Sequence, residues 1–427
     1  TTVTLGRCGG TVALASGATQ TGFGRTGTVD WDTTPKTTTF TAVSGDGFFC
    51  NTTSGGFTCN LPAGSAGAIV SLADYAGTWQ TNALTVSPNG SDKIGGVNSD
   101  ITLNTEGQSV TFVFADSTQG WINVQDSTSN ERGNPYIVAS GGTVTTSGNC
   151  KIHSFTGPGT FTVSAVAACA ADNVVSYLIL AGGGSGGGGV GGGGGAGGYR
   201  EVVSPSSPYT GSPLNGYPSS PNRVTVTAQG YPIVVGGGGA APSSDSNGSN
   251  GNVSSFGGIS SAGGGGGARN SAAGSGGSGG GAYTPGGSAT KGSGNTPPTT
   301  PSQGNDGGEG NPGPGESGGG GGGASAVGGN GDTGGNPNNG GPGGAGTASQ
   351  ITASPVTRGG GGGGSGFAGT GGAGGSGGGG DSGPGRSAGS GTAATGNSGG
   401  GGGAGNYAPG TPAASIGGAG GSGIVII

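Results

Sequence analysis

The sequence predicts a mostly β protein, with small antiparallel β modules followed by a glycine-rich sandwich of polyglycine-II helices. Three observations carry that expectation. Of the 120 glycines in 427 residues, 25 lie in residues 1–180 and 95 in residues 181–427. Ahead of residue 181, apolar and polar residues alternate between turn signals, the period-2 signature of strands. Beyond it, the non-glycine residues of the cleanest stretches recur at every third position. The resulting division is a connecting segment (1–29), an antiparallel β module (30–128), a β-hairpin module (129–180) and a glycine-rich domain (181–427) with variable tip loops.

In the first module, "TTTFTAVSGDGFFCNTT", "FTCNLP", "AIVSLADY", "ALTVSPNG" and "SVTFVFADSTQGWINVQD" read as successive strands broken by Gly, Asn, Asp and Pro. Phe48, Phe112, Phe114 and Trp121 fall inside these strands, where core packing is their default role. The next module, "YIVASGGTVTTSGNCKIHSFTGPGTFTVSAVA", carries a "TGPGT" hairpin signal between Phe155 and Phe161. It leads into the apolar strand "VVSYLIL".

All five cysteines precede residue 181: Cys8, Cys50, Cys59, Cys150 and Cys169. In "FFCNTTSGGFTC", a two-residue turn at Ser54 and Gly55 would set Cys50 and Cys59 face to face across two strands. A disulfide there is geometrically possible; the alternative is two small core residues on one strand face. No C-x-x-C pair occurs, and a single histidine, His153, argues against a metal site. A strand-packing role suits that histidine.

The glycine-rich domain is the unusual part. Ordering one residue costs about 1–2 kcal/mol of backbone entropy, and more for glycine. Large apolar side chains are too few there to offset this, so only a dense arrangement with every backbone group paired can compete with disorder. The spacing fits such density. Phe367, Thr370, Ala373 and Ser376 recur every third residue, as do Thr333, Asn336, Asn339, Pro342, Ala345 and Ala348. Val190, Ala196 and Tyr199 share the register, and Ile416, Ala419 and Ser422 repeat it. Three residues per turn is the period of the polyproline-II-type helix, which has no internal hydrogen bonds. Collagen uses the same helix but needs one glycine in three with abundant proline; here the cleanest stretches have two in three. "YLILAGG" and the terminal "SGIVII" are expected to be neighbouring strands that close the domain.

A net charge of −6, with 7% charged residues, excludes a nucleic-acid binder with clustered Lys and Arg. The apolar run at residues 174–180 is strand-sized and far short of a membrane span. No enzyme and no cofactor are expected. G-x-S-x-G and G-x-G-x-x-G occur, but so much glycine produces both by chance. Asp245, Asp306, Glu309, Glu316, Asp332 and Asp381 form no spaced pair for glycoside hydrolysis. "DSNGSNGN" lacks the closing Glu of a calcium loop.

"VDWDTTPKTTTFTAVSGDGFFCNTTSGGFTCNLPAGSAGAIVSLADYAGT", "GQSVTFVFADSTQGWINVQDS", "KIHSFTGPGTFTV" and the closing "GSGIVII" resemble modules of tail-fibre and adhesin proteins of marine tailed bacteriophages. Cys50 and Cys59 depart from that pattern, standing where Val-like residues are expected. The resemblance implies an extracellular virion tail fibre, a homo-oligomer with a trimer favoured. It would be joined to other virion tail proteins and would attach to a host cell-surface glycan or outer-membrane protein. The alternative is a self-assembling extracellular or virion-surface filament. On the first reading the receptor-binding residues sit in the longer excursions from the glycine runs, which are rich in Tyr, Ser, Asn and Pro. Tyr209, Tyr217, Tyr283 and Tyr407 are the candidate contacts; the competing role for each is to cap the end of the glycine packing.

Overall fold

The computed structural model describes residues 29–127, 136–167, 169–283, 290–311, 313, 315–334, 338–385, 389–406 and 415–427. Cys8, Tyr407 and nearly all of the connecting segment lie outside them. Thr1–Arg132 and Gly133–Ile427 form two compact units, and in both the regular secondary structure is almost all β-strand, arranged in small sheets.

The first unit holds β1 (Asp30–Lys36), β2 (Phe40–Thr41), β3 (Asp46–Cys50), β4 (Thr58–Asn60), β5 (Ile69–Asp74), β6 (Leu84–Ser87), β7 (Ile101–Leu103), β8 (Ser109–Asp116) and β9 (Gly120–Ser127). They make two sheets, ordered β1-β3-β5-β8-β9 and β2-β4-β6-β7. The first six strands alternate between the sheets, so each lies parallel to the strand two before it. Antiparallel pairing begins only with β7, β8 and β9. The expected all-antiparallel module is thus corrected to a mixed one. Alternation tells which face of a strand is buried, whereas the exit direction of each turn decides its neighbour. Here the early turns carry the chain across to the other layer rather than back along the same one.

Between the layers, Phe48, Val70, Leu72 and Phe112 share one core with Leu84, Val86 and Leu103. Cys50 and Cys59 belong to that core, fully buried at 0% exposure. Ser54 and Gly55 do not close a hairpin, because β3 and β4 lie in different sheets. Both cysteines are free thiols, so the possible disulfide is corrected in favour of the alternative, two small core residues. Burial pushes the Cys59 thiol up from 9.0 to about 12. Burial raises the Cys50 thiol too, helped by the nearby Cys59 and Asp74.

The second unit starts with β10 (Val138–Ser140), β11 (Thr143–Ser147), β12 (Cys150–Phe155) and β13 (Gly159–Ala165). It continues through β14 (Val174–Val175), β15 (Tyr177–Leu180), β16 (Tyr199–Val202), β17 (Val224–Thr225) and β18 (Gly230–Ile233). Short hairpins β19 (Ser254–Phe256) with β20 (Ile259–Ser261), and β21 (Thr347–Ser349) with β22 (Val356–Arg358), precede the terminal β23 (Ile424–Ile426). The main sheet is ordered β11-β12-β23-β15-β16, antiparallel throughout. "YLIL" and "IVI" do pair as neighbours, Leu178↔Ile426 to Leu180↔Ile424. The "TGPGT" turn does not make a hairpin. It moves the chain from β12 to β13, which lies in a separate β10-β13-β18 sheet.

Both faces of the central strands β15 and β23 are buried. Tyr177, Ile179 and Val425 face a core with Phe161, Val224 and Phe256. Leu178, Leu180, Ile424 and Ile426 face the other way, toward Tyr199, Ala324 and Ile351. A continuous apolar run, without period-2 alternation, is the sequence mark of such a two-sided strand.

From residue 181 the chain runs back and forth in extended segments joined by backbone hydrogen bonds. Their pattern has a period of three. Gly183 and Gly186 donate to Gly421 and Gly418; Gly184 and Gly187 to Gly195 and Gly192; Ser185 and Gly188 to Ser249 and Ser246, all at 2.9–3.0 Å. The next run repeats it, with Gly194 and Gly197 donating to Gly402 and Gly399, and Gly195 and Gly198 to Gly265 and Ala262. Residues 181–199, 317–324 and 359–366 are buried or nearly so. A Cβ on Gly194 would overlap the carbonyl of Gly184, and one on Gly362 that of Gly402. Gly334, in contrast, has nothing within 4 Å of that position.

Gly194→Ala should therefore destabilise the second unit by about 3 kcal/mol, because rigid backbone cannot make room. Gly334→Ala should be neutral or slightly stabilising, by about 0.5 kcal/mol; urea denaturation of both variants checks the contrast. For the first unit, iodoacetamide on the native protein should label Cys150 and Cys169, which are exposed, and spare Cys50 and Cys59 until it unfolds. Unfolded thiols ionise near 9.0, whereas folded Cys59 holds its proton to about 12. The folded state then binds more protons, so stability present below pH 9 should decline between pH 9 and 12. Denaturation midpoints across that range measure it.

Candidate functional site

The loop after β16 passes Tyr209 and Tyr217 before returning to β17. It is anchored by Glu201, a carboxylate on β16 that is 2% exposed. Glu201 Oε1 accepts the Tyr209 hydroxyl at 3.0 Å and the Ser349 hydroxyl at 2.5 Å. Its Oε2 accepts the Tyr199 hydroxyl at 3.2 Å, the Ser212 amide at 2.9 Å and the Ser212 hydroxyl at 2.5 Å. Three chain segments thus converge on one buried anion, which hydrogen bonds must satisfy if the charge is to be tolerated. Burial, then the Glu201 charge, pushes the Tyr199 and Tyr209 phenols up, so both stay protonated donors.

The structure separates the candidate tyrosines. Tyr283 is 1% exposed; its hydroxyl donates to Glu316 at 2.6 Å and the Arg269 guanidinium lies 5.4 Å from its ring centre. A ring so enclosed offers no contact surface, which corrects its assignment as a receptor contact. Tyr217 is half-buried under Arg223, 4.3 Å from the ring centre. Tyr209, also half-buried, is the one described candidate that lines a sizeable cavity.

That cavity is a groove of about 760 Å³ in the second unit, within the size range of small-ligand pockets. Its walls include Tyr136, Ile152, Phe161, Val175, Ile351 and Ile427, and Ser176, Ser206 and Ser207 add hydroxyls. The Ser176 and Ser207 hydroxyls lie 2.9 Å apart. Tyr136 stands at the groove 70% exposed. His153 also contributes to the wall. It is buried, with Nδ1 2.8 Å from the Gly141 carbonyl oxygen and its ring edge-on to Phe161 at 5.1 Å. Among the described residues, no three or more His, Cys, Asp or Glu side chains converge where a metal could be held. No described helix is long and apolar enough to cross a membrane.

Sequence reasoning missed Glu201 and the groove. The signal for the first was present: one acid in the strand "YREVV", followed by a Tyr- and Ser-rich loop able to donate to it. The groove had none, since its walls come from segments as distant as residues 136, 207 and 351.

Residues 154–427 match the model of a glycine-rich domain family. The chain belongs to this glycine-rich domain family. The match begins inside β12 and ends at the last residue of the chain, so it takes in the main sheet from β12 onward as well as the glycine runs. No curated protein matches the chain.

Within this glycine-rich domain, Glu201→Ala should cost about 2–4 kcal/mol, since it strands buried hydroxyls. Glu201→Gln, able to accept some of the same bonds, should cost less. Chemical denaturation of the two variants gives the order.

Proposed function

We propose that the glycine-rich region is a sandwich of polyglycine-II helices, forming the rigid tip of a non-catalytic phage tail fibre or adhesin that attaches a virion to a host cell surface. The period of three in the hydrogen bonds carries the reading. Three successive amides reach three different neighbours, as a helix with three residues per turn and no internal bonds requires. Such a lattice buries its glycines and leaves its turns free to vary, which suits a scaffold for recognition loops.

The receptor-binding surface on this reading is the groove beside Tyr209, with Tyr136 at its wall. Aromatic rings with hydroxyls among them suit a cell-surface glycan or an outer-membrane protein. The first unit would join other virion tail proteins, and several copies in one fibre would sum weak contacts into firm attachment. The location is the virion exterior.

Adsorption of fluorescently labelled full-length protein to intact cells of a panel of aquatic bacteria tests this. Saturable binding to a few strains is expected, weakened about tenfold or more by Tyr136→Ala with Tyr209→Phe. Absence of binding to every strain, together with growth of long filaments, would replace attachment by a structural filament.

A further inference from the structure

The two edges of the main sheet in the second unit are treated differently. At one edge, β16 is covered: Gly216 donates to the Glu201 carbonyl at 2.8 Å, Tyr199 donates to the Gln303 carbonyl at 2.8 Å, and three of the four residues are buried. At the other edge, β11 pairs with β12 in unbroken register, from Thr143↔Ser154 to Ser147↔Cys150, and among the described residues no strand lies beyond it. All five of its side chains are exposed, on both faces. Its sequence, TVTTS, carries no proline, charge or bulge, the devices by which natural edge strands avoid pairing. Exposed Val144, Val138 and Tyr136 lie close by in the chain.

The direction of the free groups can be worked out. His153 commits its N–H and its C=O to Ile427, at 2.9 and 3.0 Å, on the side away from β11. The Val144↔His153 pair is therefore a non-hydrogen-bonded one, and the N–H and C=O of Val144 point outward. By alternation those of Thr146 do the same, which leaves two donors and two acceptors along the free edge.

We infer that β11 is a self-pairing edge through which two copies of this chain join antiparallel about a two-fold axis. In that arrangement Val144 exchanges both bonds with Thr146 of the partner subunit, and Thr146 with Val144 of the partner subunit. All four outward groups are satisfied. Thr145 falls on the axis opposite Thr145 of the partner subunit, a favourable threonine pair. The edge is complementary to itself and neutral, so no like charges meet, and this selects a second copy over a partner of other chemistry. A five-residue contact is small against a standard interface, so pairing is weak for free chains and strengthens where copies are tethered together. The inference rests on strand geometry and not on the attachment reading; adsorption and self-association are measured separately, and either can fail alone.

Sedimentation velocity of the full chain over a wide concentration range tests it, using wild type, Thr145→Lys, Thr145→Glu and an equimolar mixture of the two variants. Wild type should associate reversibly. Either charged variant alone should raise the dissociation constant about fivefold or more, because like charges meet on the axis. Mixing them should restore association, since opposite charges then face each other; this also controls for misfolding. Assembly that is unchanged in both variants, a mixture that fails to recover, or a wild type that stays monomeric throughout would overturn the proposal.

Discussion

The glycine runs of the second unit depend on one constraint: every buried backbone amide must find an acceptor, because the runs themselves carry few side chains to compensate if it does not. The bonds from residues 183–188 show how this is met. Each amide goes to a carbonyl on a neighbouring run, and the neighbour changes from one residue to the next. Such packing requires backbones to approach so closely that a Cβ at most interior positions would strike a carbonyl. Glycine is therefore placed where nothing larger fits, despite its entropic cost. That answers why a chain would string together so many residues that resist ordering.

The glycine runs still need an apolar anchor. It comes from the main sheet, where β23, the last strand of the chain, sits between β12 and β15. Leu178, Leu180, Ile424 and Ile426 turn one face toward the glycine runs, while Tyr177, Ile179 and Val425 turn the other toward an aromatic core. The first and last strands flanking the glycine runs thus close on each other. Order in the intervening 240 or so residues is coupled to one conventional hydrophobic sheet, which supplies the area-dependent stabilisation that glycine lacks.

A rigid interior confines adaptable chemistry to the perimeter. Even there, several polar side chains serve the fold: Glu201 holds the loop after β16, and Tyr283 is shut between Glu316 and Arg269. What stays open is the groove with Tyr136 and Tyr209 in its walls, and the bare edge of β11. One offers a shaped surface to a ligand, the other unpaired backbone groups to another strand.

The strand-forming character of the residues ahead of the glycine runs, the pairing of "YLIL" with "IVI" and the dense pairing of the glycine runs were legible in the sequence. Composition and period depend on local geometry, and local geometry repeats along a chain. The parallel pairing of β1 to β6, the free thiols of Cys50 and Cys59, and the crossing rather than hairpin at "TGPGT" were not. Each depends on which layer a strand enters after a turn, and a turn signal marks reversal without naming the new neighbour. The candidate site divided in the same way. Tyr209 and Tyr217 could be placed in a loop from sequence, but only tertiary structure could bury Tyr283 against Glu316, or bring Tyr136, Ser207 and Ile351 to one groove, because burial is a property of what packs from elsewhere in the chain.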